Sequence, residues 1–481
     1  MARGDFEHSF ERRGLSFGAL VFACILGAGV AGYYVLGSVA LPAWATSATR
    51  SAQSGIQGAA AAFSTTTSER VIEVLTIPQA VPESGKFIVA DLTAMQVALY
   101  LDGRIVTTYP ILTKGRPGSP YETPSGFYSV LSKEADHFNR GAGVHLPYAM
   151  QFYGNYFIHG WPYYADGSPV DPTYSGGCIR LATDDAAQLL AFASIGTGLF
   201  VYDTKQATRA SSIALGPVAA PAVSAGSYLV ADLDSRDVYA ERDAQMPVPI
   251  ASVTKLMTAL VANETIMFDR EIPVPAGILE HPADPGNTAA RRFSVGELLY
   301  PLLMESNNAV ADRLAAYYGT SGFIGWMNST AGSLGMSRTR FADASGISPG
   351  NVSTPDDLYR LAVYLTNKKP FIWKITRTPR TTLQAADGST YAFANFNEFA
   401  NLETFVGGKV GQTVPAKDTM VSVFSVPLDG QVRRVAIVVL QSEDYAADTG
   451  KLKDWFAAAS AAGTQAACAA CAVPQYRKIP L

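Results

Sequence analysis

The sequence predicts a multidomain chain: an N-terminal transmembrane helix, then a mainly-β block, then an α/β block. Three observations predict it. The 481 residues are too many for one ordinary domain and suit two or three. No charged residue occurs from Leu15 to Leu41. Further on, two ordered stretches of different pattern flank residues 204–226, a Thr/Ala/Ser/Gly/Pro-rich segment that reads as a linker. Hydrophobic residues make up 48% and charged residues 16%, which permits packed cores and argues against wholesale disorder.

Residues 1–14 are polar and carry Arg3, Arg12 and Arg13. As a helix, the uncharged run that follows is about 40 Å long, against about 30 Å for a bilayer core. The arginine flank puts that end in the cytoplasm and the rest of the chain outside. A cleaved signal peptide competes, with Ala43-Trp44-Ala45 as its cleavage site, but the run is long for a signal. Residues 1–45 are therefore expected to be a cytoplasmic stub and single-pass membrane anchor, with both later blocks extracytoplasmic. Residues 46–85, rich in Ala, Ser, Thr and Gln, read as a stalk.

The first block is expected at 86–203. Val97–Leu101 and Arg104–Val106 flank Asp102-Gly103, a strong hairpin signal. Further strands are expected at Gly126–Leu131, Tyr148–Tyr153, Tyr156–His159 and Leu199–Tyr202. A helix is expected from Thr183, with Asp184 and Asp185 in its first turn. The stretch Tyr174-Ser175-Gly176-Gly177-Cys178-Ile179-Arg180 carries the chemistry. A thiol attacks as thiolate and needs a base or a positive charge nearby. Gly176 and Gly177 let the backbone approach a bound carbonyl, Arg180 supplies a fixed charge, and His159 lies upstream on a strand. Cysteine, histidine and arginine together suggest acyl transfer through a thioester. A buried free cysteine in a turn is the other reading of those residues.

With Thr123-Pro124-Ser125-Gly126, His159-Gly160 and Ser175–Arg180 in hand, the block resembles the L,D-transpeptidase catalytic domain of the YkuD type over essentially its whole length. The resemblance implies Cys178 as nucleophile, His159 as base, the Gly160 carbonyl orienting that base, and Arg180 near the substrate carboxylate. Gly176 departs from the pattern, since the family often has histidine there.

The second block is expected at 227–460. Tyr228–Leu233 and Asp237–Glu241 read as antiparallel strands, and Pro249–Leu260 as a central buried helix. Ser252 and Lys255 then share one helical face, one turn apart. A lysine in an apolar site is biased towards its neutral form and can take a serine proton. Ser306-Asn307-Asn308 leads into a helical pattern at Val310, Leu314 and Tyr317. Lys409-Val410-Gly411 precedes apolar strands at Val421–Val426 and Arg434–Leu440, and Asp448–Ala458 reads as a closing helix. The order S-x-x-K, S-x-N, K-x-G is the signature of serine acyltransferases that bind penicillin. The block resembles the low-molecular-weight D-alanyl-D-alanine carboxypeptidases of peptidase family S11, with a serine penicillin-binding, β-lactamase-like α/β fold. Leu334-Gly335-Met336, Thr339–Asp343 and Ser345-Gly346 support this. The resemblance implies Ser252 as nucleophile and Lys255 as its base. Ser306 and Asn308 would relay protons and hold the substrate amide. Lys409, with Gly411 in its motif, would draw in the terminal carboxylate, and backbone near Thr413 would line the site. Val410 departs from the usual Thr or Ser, whose hydroxyl binds the substrate carboxylate.

Other classes find no support. Net charge is −4 and no basic tract stands out, so nucleic acid is not an expected partner. The five histidines lack metal-ligand spacing, and no phosphate-binding loop occurs, so neither metal nor cofactor is expected. Cys24 sits in the apolar run. Cys468 and Cys471 form a lone C-x-x-C in the Ala-rich tail at 461–481, and read as a local disulfide or idle thiols. The resulting expectation is a membrane-anchored enzyme acting on peptidoglycan stem peptides, with β-lactams as inhibitors. A peptidoglycan-binding scaffold with one or both heads inactive is the alternative, favoured by Gly176 and Val410.

Overall fold

The computed structural model describes residues 77–171, 175–203, 210, 212–279, 290–384, 390–428, 431–466 and 475–479. The expected anchor, Tyr174, Cys24, Cys468 and Cys471 lie outside these. Among the described residues, no helix is long and apolar enough to cross a membrane.

The first domain is two five-stranded sheets around a shared core. Asp102 and Gly103 both take positive φ, as a tight hairpin turn demands, and join Gln96–Leu101 to Arg104–Pro110. Lys86–Asp91 pairs with Gln96–Leu101 on one side and, in parallel, with Gly198–Tyr202 on the other. Gly126–Ser129 closes that sheet. The second sheet orders Ser132–Asn139, Val144–Tyr153, Tyr156–His159 and Ile179–Arg180, with Tyr163–Tyr164 on the edge. Ile88, Val97 and Leu99 from one sheet meet Met150, Phe152, Ile158 and Ile179 from the other, and the helix Thr183–Phe192 adds Ala186 and Leu189. The strand Ser132–Asn139 was not expected. Its Lys-Glu-Ala-Asp run is half-exposed on both faces and shows no apolar alternation. Residues 77–80, inside the expected stalk, form a short helix whose Ile77 and Ala80 pack on Phe87 and Val89.

The second domain is a six-stranded antiparallel sheet with helices on both faces. Its order runs Phe405–Thr413, Lys417–Leu428, Gln431–Ser442, Ser227–Asp232, Asp237–Arg242 and Arg477–Lys478. One face packs on the buried helix Lys255–Thr265 and its neighbours, and the other on the closing helix Tyr445–Ala466. The expected helix Pro249–Leu260 is corrected at its start. Val248-Pro249 is a short strand paired with Val352-Ser353, Ala251–Thr254 is a 3-10 turn, and the α-helix begins at Lys255. Ala251 takes φ of +46°, which no α-helix accommodates.

The two domains pack into one compact unit. Tyr153 stands edge-on to Trp326, and its hydroxyl bonds Thr330 at 2.6 Å. Lys368 reaches Asp203 at 2.5 Å and Glu122 at 3.2 Å, with all three side chains buried.

Candidate active sites

In the second domain, the 3-10 turn and the helix that follows place Ser252 and Lys255 one turn apart, as their spacing suggested. Lys255 Nζ donates to Ser252 Oγ at 2.9 Å, to Asn308 Oδ1 at 2.6 Å, and to the Ser345 carbonyl. Burial drives the Lys255 ammonium down to about 7, while the carboxylates of Asp343 and Asp312 pull it partly back. Asp343 accepts backbone N–H groups of Ser345 and Gly346, which fixes the carbonyl that Lys255 meets. Sequence reasoning gave Asp343 and Asp312 no part in the site, since both act across the fold.

Ser306 sits in the left-handed region, with φ of +58°, and accepts a hydrogen bond from Lys409 Nζ at 3.0 Å. Lys409 lies on the strand Phe405–Thr413, which the glycine pair before it hid from strand assignment. Its ammonium is buried and held well below the usual lysine range, first by desolvation and then by Lys255. A Cβ at Gly411 would stand 2.7 Å from the Ser252 amide nitrogen, so only glycine leaves that N–H open. Between them, Val410 packs against the outer cluster of Met420 and Phe424. Thr413 lies at the strand end and accepts from the Ala416 N–H; the strand's close approach to Ser252 is at Gly411.

In the first domain, His159 pairs with Arg180 and Ile158 with Ile179 across parallel strands. Alternation then puts Cys178 and His159 on the side opposite Ile158 and Ile179. Cys178 accordingly packs on the cluster of Ala149, Phe157 and Val170. His159 Nδ1 donates to its neighbour's Gly160 carbonyl at 2.6 Å, which leaves Nε2 as the basic nitrogen. Burial lowers His159 to about 4. Burial likewise raises the Cys178 thiol to about 11, against smaller opposing pulls from the Phe157 backbone and Arg180. Both shifts favour the neutral forms, a thiol at Cys178 and an imidazole at His159.

The thiol donates to the Asn155 carbonyl at 3.8 Å. Arg180 is buried, with its guanidinium 5.5 Å from the Trp161 ring centre. Gly177 has φ of +103°, and a Cβ there would overlap the Tyr156 ring at 2.2 Å. The Gly177 carbonyl accepts from Thr123 Oγ1 at 2.8 Å, and Ser175 Oγ donates to the Cys178 carbonyl at 2.6 Å. Sequence reasoning missed Asn155, which carries no motif signal.

Among the described residues, no group of three or more His, Cys, Asp and Glu side chains could hold a metal ion.

Residues 216–443 match the family described as D-alanyl-D-alanine carboxypeptidase (peptidase S11), and residues 85–205 the L,D-transpeptidase catalytic domain (YkuD). A D-alanyl-D-alanine endopeptidase of Pseudomonas aeruginosa is 34% identical over 38% of this chain and 61% of its own length. A D-alanyl-D-alanine carboxypeptidase of Mycobacterium tuberculosis is 31% identical over 43% of this chain and 72% of its own. The crystal structure of a D-alanyl-D-alanine carboxypeptidase from Mycobacterium tuberculosis H37Rv aligns at 27% identity and a TM-score of 0.44, covering 51% of this chain and 96% of that one. The chain spans 61–63% of the length of the endopeptidases it matches.

Proposed function

We propose, for a chain that belongs to the D-alanyl-D-alanine carboxypeptidase family and also carries an L,D-transpeptidase catalytic domain, that two acyl-transfer heads act in sequence on peptidoglycan stem peptides. The observations that support the reading are the Lys255 Nζ–Ser252 Oγ hydrogen bond in one head and, in the other, the parallel pairing of the His159 strand with Ile179–Arg180 directly after Cys178, both within one compact unit. An N-terminal anchor holds both heads outside the cytoplasm.

In the serine head, neutral Lys255 takes the Ser252 proton as Oγ attacks the penultimate D-Ala carbonyl. The backbone N–H of Ser252, kept open by Gly411, meets the developing oxyanion. Lys409 faces the terminal carboxylate, and Ser306 passes the proton towards the leaving amine. The C–N bond breaks, D-Ala leaves with the proton, and water then hydrolyses the Ser252 ester. Asn308, with its Oδ1 held by Lys255, turns its amide N–H groups to the substrate.

In the cysteine head, the Cys178 proton passes to His159 Nε2 as the thiol attacks the tetrapeptide carbonyl near Arg180. The departing D-Ala amine takes that proton, leaving a thioester. An acceptor side-chain amine attacks the thioester, gives its proton through His159 to the sulfur, and forms the cross-link. The carboxypeptidase product is thus the transpeptidase donor, and fusion raises its local concentration. Because the chain carries both nucleophiles, β-lactams are expected to acylate both heads.

The test supplies pentapeptide muropeptides to the wild type and to a Ser252→Ala variant. Cross-linking from pentapeptides is expected to stop in the variant and to return when tetrapeptides are supplied. Equal cross-linking from pentapeptides in both proteins rules the sequence out. The endopeptidase names among the relatives favour a second reading of the serine head, hydrolysis of D,D cross-links. Cross-linked dimers as substrate distinguish it.

The two heads also differ in pH response. Serine acylation needs neutral Lys255, so its rate is expected to climb as pH rises through about 7 and to level off above. Cysteine acylation needs neutral His159, so it is lost only as pH falls towards about 4 and is flat across 7. Penicillin labelling of Ser252 and carbapenem labelling of Cys178 over pH 5–9 checks this; a flat serine profile contradicts it.

A further inference from the structure

We propose that Lys369, a residue of the serine domain, is a positioning residue for the cysteine head, so that the Cys178 site is complete only when the two domains are docked. The inference rests on the reading of Cys178 as a nucleophile.

Lys369 follows the helix Pro355–Lys368 and precedes Pro370, a place where lysine ordinarily caps a helix end in solvent. Here the side chain is wholly buried and points into the first domain. Its ammonium pairs with Glu264 at 3.3 Å and donates to the carbonyls of Glu122 at 2.9 Å and Pro120 at 3.2 Å. It also lies 3.4 Å from the Tyr156 hydroxyl. Asn263 Nδ2, from the helix Lys255–Thr265, holds the Pro120 carbonyl as well, at 2.9 Å.

Those partners are the walls of the Cys178 loop. The Tyr121 carbonyl and the Tyr156 ring press on Gly177 from two sides, at 2.9 Å and 2.2 Å from where a Cβ would stand. Thr123 bonds the Gly177 carbonyl. The Asn155 carbonyl accepts the thiol, and Asn155 itself is tied to the serine domain through its amide groups, which donate to the Glu264 and Thr265 carbonyls. A single buried ammonium thus holds the loop at Pro120 and Glu122 and contacts Tyr156, and that loop and ring pack on Gly177, the residue before the nucleophile. Glu264 is in turn held by the Tyr364 hydroxyl at 3.1 Å. A buried charge of this kind is costly unless fully partnered, and its partners here converge on the neighbouring site.

The test uses the full chain with Lys369→Met and Glu264→Gln combined, which removes both charges and keeps the volume. Carbapenem acylation is followed by mass spectrometry, and penicillin labelling of Ser252 reports the fold. The limiting rate at Cys178 is expected to fall by about tenfold or more, as for a misplaced reacting group, with Ser252 labelled at the wild-type rate. A purely structural defect instead lowers the fraction of molecules ever acylated and leaves the rate of the rest unchanged, which overturns the proposal. So does a Cys178 rate within about twofold of wild type. Asn263→Ala, at a helix position that tolerates alanine, removes one donor to Pro120; a selective fall of about threefold at Cys178 is expected there, and no change also overturns the proposal. A wild-type chain inert at Cys178 sinks the nucleophile assignment itself, and this inference with it.

Discussion

A Cys178→Ala variant is expected to lose all L,D-type cross-linking while Ser252 is labelled by penicillin at the wild-type rate. The loss should be on the order of a millionfold, as for removal of the nucleophile from an acyl-transfer site. No neighbour substitutes for the thiol: His159 is committed through Nδ1 to Gly160, and Ser175 Oγ donates to the Cys178 carbonyl. The substitution is gentle on the fold. Cys178 is half-buried at the rim of the small cluster around Phe157, and alanine gives up only the long 3.8 Å thiol contact to the Asn155 carbonyl. Cross-linking of tetrapeptide muropeptides, scored beside Ser252 labelling on one sample, checks it. Loss of both activities together would mean that the heads are not chemically independent.

The second large effect is on stability. Lys368→Met is expected to cost about 3–5 kcal/mol, because it removes the cation shared by two buried carboxylates, Glu122 and Asp203, between the domains. Lys368 lies 2% exposed, and Glu122 and Asp203 lie 5% and 7% exposed, so water offers little relief. Replacing the whole triad by apolar residues should recover much of the loss, since the penalty lies in the buried charge and not in the missing attraction. Chemical denaturation of the full chain measures it. A loss under about 1 kcal/mol would mean that the cavity admits water or that the domains separate before they unfold.

The candidate sites were legible where the chemistry is close in sequence. Ser252 and Lys255 need only one helical turn to meet, and one strand pairing beside a loop with two glycines brings the His159 strand alongside Ile179–Arg180, directly after Cys178. The Asp102-Gly103 hairpin was legible because its turn chemistry has few alternatives. What was hidden depends on tertiary packing. Ala251 leaves the helical region where Gly346, far away in the chain, comes so close that a Cβ on it would overlap the Ala251 carbonyl. Lys368 and Lys369 look like a solvated helix end, yet both are buried, Lys368 against Glu122 and Asp203 of the other domain and Lys369 between Glu264 of its own domain and backbone carbonyls of the other. Ser132–Asn139 is a strand in spite of its charges because Val144–Tyr153 pairs with it along nearly its whole length. Val410 likewise reads from sequence as a lost substrate contact, whereas its side chain packs on the outer cluster.

The central claim is that one chain carries two working nucleophiles. Intact-protein mass spectrometry after carbapenem treatment tests it most directly. Two covalent adducts are expected on the wild type, mapping to Ser252 and Cys178, and a single adduct on each of Ser252→Ala and Cys178→Ala. A wild-type protein that never carries more than one adduct, or a single substitution that abolishes both, would contradict it.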